Sequence, residues 1–293
     1  MKKIFSAGTG LHANRSAAGT AVVFLILLFT SLLMMMPFVY SIVQSLKPME
    51  ELFAFPPKFF VQNPTAENYQ KLFQLTENLW VPFSRYVFNS VFVSVAGTAL
   101  YILVASMAAY SLAFGDFPGA KLFNEIVVQA LLFSSSVLAV SQYVILAKGR
   151  MLNTYWAVIL PALSAPLGLF LMRQFMEQMI PKSMLEAAQI DGATSWQTLW
   201  KIKIPMVMSS ITICVFLTLT NSFKLFDQNL SLTAGEPNHA TEMLALNIYN
   251  TFYARSGPQW KGIGQAKAVI FFVLVVAIGL IQLRATRSRE VQQ

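Results

Sequence analysis

Glu186-Ala187-Ala188-Gln189-Ile190-Asp191-Gly192-Ala193, with Ile202 and Pro205 beyond it, decides how the rest of the chain is read. The segment is charged and soluble-looking, yet it sits between two long apolar runs, about 155–172 and 204–226. Runs of that length suit a bilayer, so the segment between them is held on one side of it, open to a partner. Local patterning describes its shape. Pro181 suits the first turn of a helix. Ser183 with Glu186, and Thr194 with Gln197, have the spacing of capping boxes, so two short helices are expected. Asp191-Gly192 makes a turn between them, because Gly accepts positive φ without steric cost. Ala187, Ala188 and Ala193 are small enough for another backbone to come close. Trp196, Leu199 and Trp200 offer anchors of the kind that dominate interfaces. The spacing predicts a rigid two-helix knob over 181–203, with Lys201 and Lys203 marking the return to the membrane and Pro205 opening the next apolar run.

Composition agrees. Of 293 residues, 56% are hydrophobic and 12% charged, against roughly 25% charged in soluble domains. Phe (24) and Met (14) are abundant. The chain reads as all-α, a polytopic membrane protein. Its net charge of +8 reflects Lys and Arg at span ends rather than nucleic-acid binding, since no basic run is interleaved with exposed aromatics. The single cysteine, Cys214, lies in an apolar run and reads as a small packing or lipid-facing residue.

Six stretches have the length and apolarity of spans: about 20–42, 86–109, 122–146, 155–172, 204–226 and 266–283. The first is longer than a signal-peptide core and lacks an A-x-A-like cleavage site, so it reads as a retained span. The third carries Asn124, Glu125 and Gln129 and should face protein or a water path. The fourth carries Pro161 and Pro166 and should be kinked. Six spans put both termini on one side. Lys and Arg are more numerous on the side of the termini and the knob, which makes that side cytoplasmic. The tails are then 1–19 and 286–293, flanking a transmembrane domain over 20–285. Two long loops face the other way, about 43–85 and 227–265, the second with an amphipathic piece at 243–252. Loops this long usually have a function.

The order E-A-A-x-x-D-G-A, then I-x-x-P, resembles the cytoplasmic EAA loop by which permeases of bacterial ABC importers dock onto their ATPase subunits. A second patch, Leu46-Lys47-Pro48-Met49-Glu50, then Phe55-Pro56-Pro57 and Asn63-Pro64-Thr65-Ala66-Glu67-Asn68-Tyr69, resembles the first outside loop of the sugar permeases. The likeness covers nearly the whole chain and points to the carbohydrate-uptake family that includes the shorter inner-membrane subunit of maltose-type transporters. Ser183, Leu185 and Ser209 depart from that family's usual pattern. The resemblance implies a second permease subunit, two copies of an ABC ATPase and an extracytoplasmic solute-binding protein as partners, in the bacterial cytoplasmic (inner) membrane. It also implies ATPase-docking roles for Glu186, Ala187, Ala188, Asp191, Gly192, Ala193, Trp196 and Pro205. A plainer reading of the same residues makes Glu186 a cap, Gly192 a turn and the tryptophans interfacial anchors.

The chain has no G-x-x-x-x-G-K-[ST] phosphate loop, so ATP and Mg²⁺ belong to the partner ATPase. No cofactor is expected on this chain. No catalytic or metal-ligand spacing is present, and His12 and His239 are far apart in sequence. By the same resemblance, the last outside loop reaches toward the binding protein with Gly235, Glu236, Pro237 and Asn238 at its tip. Polar and aromatic residues on inward faces should line the path: Glu125 and Gln129, then Asn221, Ser222, Lys224, Phe226 and Asp227. Lys224 and Asp227 are alternatively an ion pair three residues apart. Lys224, Lys267 and Arg85 would suit an anionic saccharide, although snorkelling explains them equally. The competing classes are an ABC permease for a non-sugar solute and a secondary transporter. The latter would show inverted repeats and midplane carboxylates, and here only Glu125 is a candidate.

Overall fold

The computed structural model describes residues 17–77, 81–115, 117–133 and 135–287, and among them every regular element is a helix. In chain order these are α1 (Ala17–Ser45), α2 (Met49–Leu52), α3 (Glu67–Glu77), α4 (Phe83–Phe114), α5 (Ala120–Ala130), α6 (Ser135–Lys148), α7 (Tyr155–Leu163), α8 (Pro166–Met179), α9 (Lys182–Ile190), α10 (Ser195–Thr198), a π-turn at Leu199–Lys203, α11 (Ile204–Met206), α12 (Met208–Phe223), α13 (Phe226–Leu232), α14 (Leu244–Tyr253) and α15 (Gln259–Arg287). Most of both expected tails, 1–16 and 288–293, lies outside the described residues.

Among the described residues three helices are long and apolar enough to cross a membrane, Gly19–Ser45, Phe83–Phe114 and Gln259–Thr286, and two bent pairs would bring the number to five. The pair Tyr155–Leu163 and Pro166–Met179 bends by 40°, as the prolines in the fourth run predict. A residue before proline avoids the helical region, and Ala165 is extended (φ −65°, ψ 115°). The break is not left bare. The Tyr101 hydroxyl of α4 donates to Ala165 O at 2.8 Å and accepts from Leu169 N at 3.2 Å, which matters where water is scarce. Ser195–Met206 and Met208–Phe223 bend by 66°. Pro205 has no N–H to donate and its ring crowds the preceding turn. The π-turn lies just before it and the bend, at Val207 (φ −94°, ψ 6°), just after.

The third expected span is not one helix. Expected over 122–146, it is split into α5 and α6, with Leu131, Leu132 and Phe133 closing tight turns onto Val128, Gln129 and Ala130.

The core is built around α4. Tyr101, Ala105 and Ala109 pack against Met172, Met176 and Ile180 of the α8 side and against Val207 and Cys214. Cys214 is 1% exposed and its thiol points at Gly168 O, 3.6 Å away, so it packs within protein rather than against lipid. Nearer the start of α4, Phe83 and Tyr86 join Leu72, Leu244, Ile263 and Ala266. Helix α1 stays peripheral. It meets α15 through Phe38 and Phe272, 4.8 Å between centroids, and through Ser41 Oγ on Gln265 Oε1 at 3.0 Å. Most of its apolar surface is exposed, Phe29 at 68%, as lipid contact would require. Its Ser31 hydroxyl turns back onto Leu27 O at 2.6 Å.

Candidate functional site

The knob is local chemistry, read from the backbone outward. Pro181 is the N-cap of α9 (φ −63°, ψ 138°), with Met184 N on its carbonyl at 3.1 Å. Because proline holds that position, Ser183 falls inside the helix, and the expected Ser183–Glu186 capping box does not form. The Thr194–Gln197 box does: Gln197 N donates to Thr194 Oγ1 (3.3 Å) and Thr194 N to Gln197 Oε1 (2.9 Å). Between them α9 ends in a Schellman motif. Ala193 N reaches Ala188 O at 2.9 Å and Gly192 N reaches Gln189 O at 3.0 Å, with Gly192 left-handed at φ 74°, which is the geometry that motif requires.

One face of α9 is seated and the other is free. Ala188 is buried and Leu185 packs on the Tyr101 cluster. Ser183, Glu186 and Ala187 are exposed, and Ile190 is 85% exposed. These four positions fall in one stripe at i, i+3, i+4 and i+7. Asp191 and Gly192 are exposed beyond the stripe, Ala193 and Pro205 half-buried. Trp196 and Trp200 stand out edge to face, 5.7 Å between centroids. Lys203 lies 4.5 Å over the Tyr110 ring and donates to its hydroxyl, so the knob is tied to the last turns of α4.

The loop 227–265 is tied to the first turns of the same helix. Asn89, fully buried, donates to Ala240 O and Glu242 O, both at 2.8 Å, and accepts from the Tyr155 hydroxyl at 2.7 Å. Ser90 Oγ accepts from Leu244 N at 2.7 Å. Asn89 and Tyr110 are 21 residues apart on α4, about 32 Å at 1.5 Å per residue, close to the thickness of a bilayer's hydrocarbon core. Knob and loop therefore occupy opposite ends of the bundle. Asn89 and Ser90 belong to no motif, although Ser90, Ser94 and Thr98 make a polar stripe along an apolar run, a pattern that marks a protein-facing side.

The rest of the loop hangs on buried polar groups. Asn229 donates to Thr241 O (3.0 Å) and accepts from Met243 N (2.9 Å). Glu242, 1% exposed, accepts from Asn247 and Asn250 at 3.1 and 2.9 Å and pairs with His239 Nδ1 at 2.6 Å. Asn247 Oδ1 accepts from Lys267 at 2.6 Å, and Thr251 Oγ1 takes a second bond from that amine at 2.8 Å. Such pairing offsets the cost of burying these groups. Lys267 is 0% exposed, which removes it from the residues expected to meet an anionic saccharide. The amphipathic piece at 243–252 is realised as α14. At the tip, Gly235 is buried while Glu236, Pro237, Asn238 and His239 are exposed. Asn238 and His239 hold left-handed backbone (φ 48° and 59°), which Asn and His tolerate better than most residues.

The sugar-permease-like patch at 46–69 is a clamp. Buried Asn68 donates to Ser45 O and Lys47 O, both at 2.8 Å. Gly262 of α15 lies so close that a Cβ there would overlap the Asn68 amide. Glu51 accepts from Gln62 N (3.0 Å) and Asn63 N (2.8 Å). These backbone bonds, with Lys47 and Lys58 nearby, hold its carboxyl below the usual range.

The expected path residues separate into two groups. Asn221, Ser222, Lys224, Phe226 and Asp227 flank the break between α12 and α13; Ser222 is buried, Phe226 half-buried, and Asn221, Lys224 and Asp227 are exposed. No ion pair joins Lys224 to Asp227. Phe226 continues into Tyr249 and Tyr253, at centroid spacings of 5.1 and 4.8 Å. Glu125 and Gln129 are exposed on α5, and no hydrogen bond links them to the other group. Between the loop tip and the start of α4 lies an open cleft of about 540 Å³, lined by Ser84, Arg85 and Phe88 on one side and by Asn238 and Ala240 on the other.

The family model described as "binding-protein-dependent transport system inner membrane component" matches residues 16–289. The chain is 49% identical to the probable starch degradation products transport system permease protein AmyD of Thermoanaerobacterium thermosulfurigenes, over 39% of this chain and 38% of that relative. It is 31% identical to the arabinooligosaccharides transport system permease protein AraQ of Halalkalibacterium halodurans, over 68% of this chain and 70% of the relative. In fold it is similar to a chain in the crystal structure of a bacterial ABC transporter involved in the import of the acidic polysaccharide alginate, with a TM-score of 0.76 at 17% identity, covering 94% of this chain and 98% of that one.

Proposed function

Since this chain belongs to the family of binding-protein-dependent transport system inner membrane components, we propose that it forms half of the translocation pathway of an ABC importer for an oligosaccharide and takes its drive from a separate ATPase through the α9–α10 knob. The observation that carries the reading is the knob itself. Its terminator is closed by its own backbone and its second cap by the Thr194–Gln197 box, while Glu186, Ala187, Ile190, Trp196 and Trp200 stand exposed at its surface. A rigid body that shows apolar and acidic residues to water and is tied by Lys203 to α4 transmits a push from below. The names of the AmyD and AraQ relatives support a saccharide cargo.

In this arrangement the termini and knob face the cytoplasm. Helices α1, α4, α7–α8, α11–α12 and α15 span the bacterial inner membrane, and α5–α6 supplies the sixth, broken, span. A second permease completes the path. The tip at Glu236–Asn238 meets the solute-binding protein, and the polar break at Asn221–Asp227, with Phe226 and Tyr249 beside it, lines the route. Affinity purification of the tagged chain from its native membrane tests the proposal. An ABC ATPase and a second permease should accompany it, and saccharide-loaded binding protein should raise ATP hydrolysis by the complex. A chain that purifies without an ATPase overturns it.

A further inference from the structure

The cleft between the loop tip and α4 has contents that go beyond a docking role for the loop. Arg85 is the one charged side chain among its lining residues, and no salt bridge joins it to a carboxylate among the described residues. One edge of its guanidinium is fixed, donating to the Tyr155 hydroxyl at 3.2 Å, and the group lies 5.7 Å from the Phe88 centroid. Phe88 is 53% exposed. It is backed by Phe92, parallel to it within 11° at 5.7 Å, and Phe92 in turn by Tyr155 at 5.4 Å. The aromatic floor is therefore stiff, and the cation above it has N–H groups to spare. Ser84 and Asn238 add a hydroxyl and an amide.

We propose that this cleft is a subsite for a carboxylated saccharide, a uronate, with its carboxylate on Arg85 and its ring over Phe88. The proposal rests on the oligosaccharide reading above and narrows its cargo. A guanidinium is planar and presents paired donors that match a carboxylate, whereas a neutral sugar leaves its charge unused. A ring with axial C–H groups packs on an exposed aromatic face, and the volume lies within the usual range for small-ligand sites, about 300–1,000 Å³. Because Asn89 and Tyr155 hold both the tip and Arg85, a ring bound there touches the loop and α4 together.

The test uses the whole complex in proteoliposomes with its binding protein. ATP hydrolysis is measured against an oligouronate and a neutral oligosaccharide of equal length, for the wild type, Arg85→Gln and Arg85→Lys. The expected result is stimulation of the wild type by the oligouronate. In Arg85→Gln the ratio of half-saturating concentrations, acidic over neutral, should rise about tenfold or more, as loss of a charged hydrogen bond predicts, with partial recovery in Arg85→Lys. An unchanged ratio in Arg85→Gln overturns the subsite. Equal weakening toward both sugars also overturns it and gives the cleft to the binding protein instead. Stimulation by the neutral sugar alone refutes the subsite while leaving the oligosaccharide reading intact, and a wild type that responds to no saccharide removes both.

Discussion

Replacing Gly192 by Asp separates docking from folding. Gly192 is left-handed at φ 74°, and a Cβ built on it meets nothing within 4 Å. A Cβ at this position therefore clashes with nothing. The cost is backbone alone, about 1–2 kcal/mol for an ordinary residue and less for Asp, which tolerates this region. Both Schellman bonds are made by backbone atoms and survive. The new carboxylate, however, stands at the apex of the knob beside Asp191. If that apex is buried in an ATPase cleft, juxtaposed like charges there cost several kcal/mol, at least about a hundredfold in affinity. Gly192→Ala has at least the backbone penalty and no charge, so it isolates the second effect. The assay is copurification of the ATPase with the tagged permease, alongside thermal unfolding of the permease in detergent. Both variants should insert and unfold within a few degrees of the wild type, and only Gly192→Asp should lose the ATPase and uptake. Retention of ATPase and uptake by Gly192→Asp refutes the docking argument. Equal loss in both variants would assign Gly192 a purely conformational role.

Asn89→Leu strips the bonds to Ala240 O and Glu242 O; at about 1–3 kcal/mol for each buried group left unpaired, it should lower the thermal midpoint and open the 234–243 segment to protease. Gly262→Ala forces a methyl into the Asn68 amide, an overpacking worth about 1–3 kcal/mol, and limited proteolysis should show earlier cutting within 46–66. The depressed Glu51 carboxyl makes the same clamp pH-dependent. Its bonds to Gln62 and Asn63 contribute fully above the group's ordinary value of 4.5 and are lost as pH falls through the lower folded value, so protease sensitivity of 49–63 should rise only in strong acid, and Glu51→Gln should abolish that step. Shortening the tip by removing Glu236–Asn238 should abolish binding-protein-stimulated hydrolysis and keep the ATPase bound; unchanged transport would refute the contact.

What could be read from the sequence was local. The left-handed Gly192 and the Thr194–Gln197 box follow from neighbours within five residues, and the bend near Pro166 follows from one ring. The Ser183–Glu186 box failed for an equally local reason, because Pro181 already capped α9. The break in the third run could not be weighed from apolarity, which is the same for one long helix and for two short ones. Lys267 illustrates what lies beyond such reading. In sequence it is a lysine in an apolar run. In the fold its amine is met by Asn247 and Thr251, 20 and 16 residues away. Asn89 is likewise explained by Tyr155, 66 residues away, and by Ala240 and Glu242, more than 150 residues along the chain. In the cleft beside it, Asn238 and Ala240 are equally distant in sequence from Arg85, so Arg85 could be flagged but not given its opposite wall.

The most direct test of the central claim is a crosslink from the knob. The chain has one cysteine, Cys214, and it is buried, so Glu186→Cys or Ile190→Cys adds the accessible thiol. Loaded with a short maleimide photocrosslinker in the native membrane and illuminated, either variant should yield one dominant adduct, between this chain and the ABC ATPase. An adduct with the solute-binding protein, or none with the ATPase, would contradict the account.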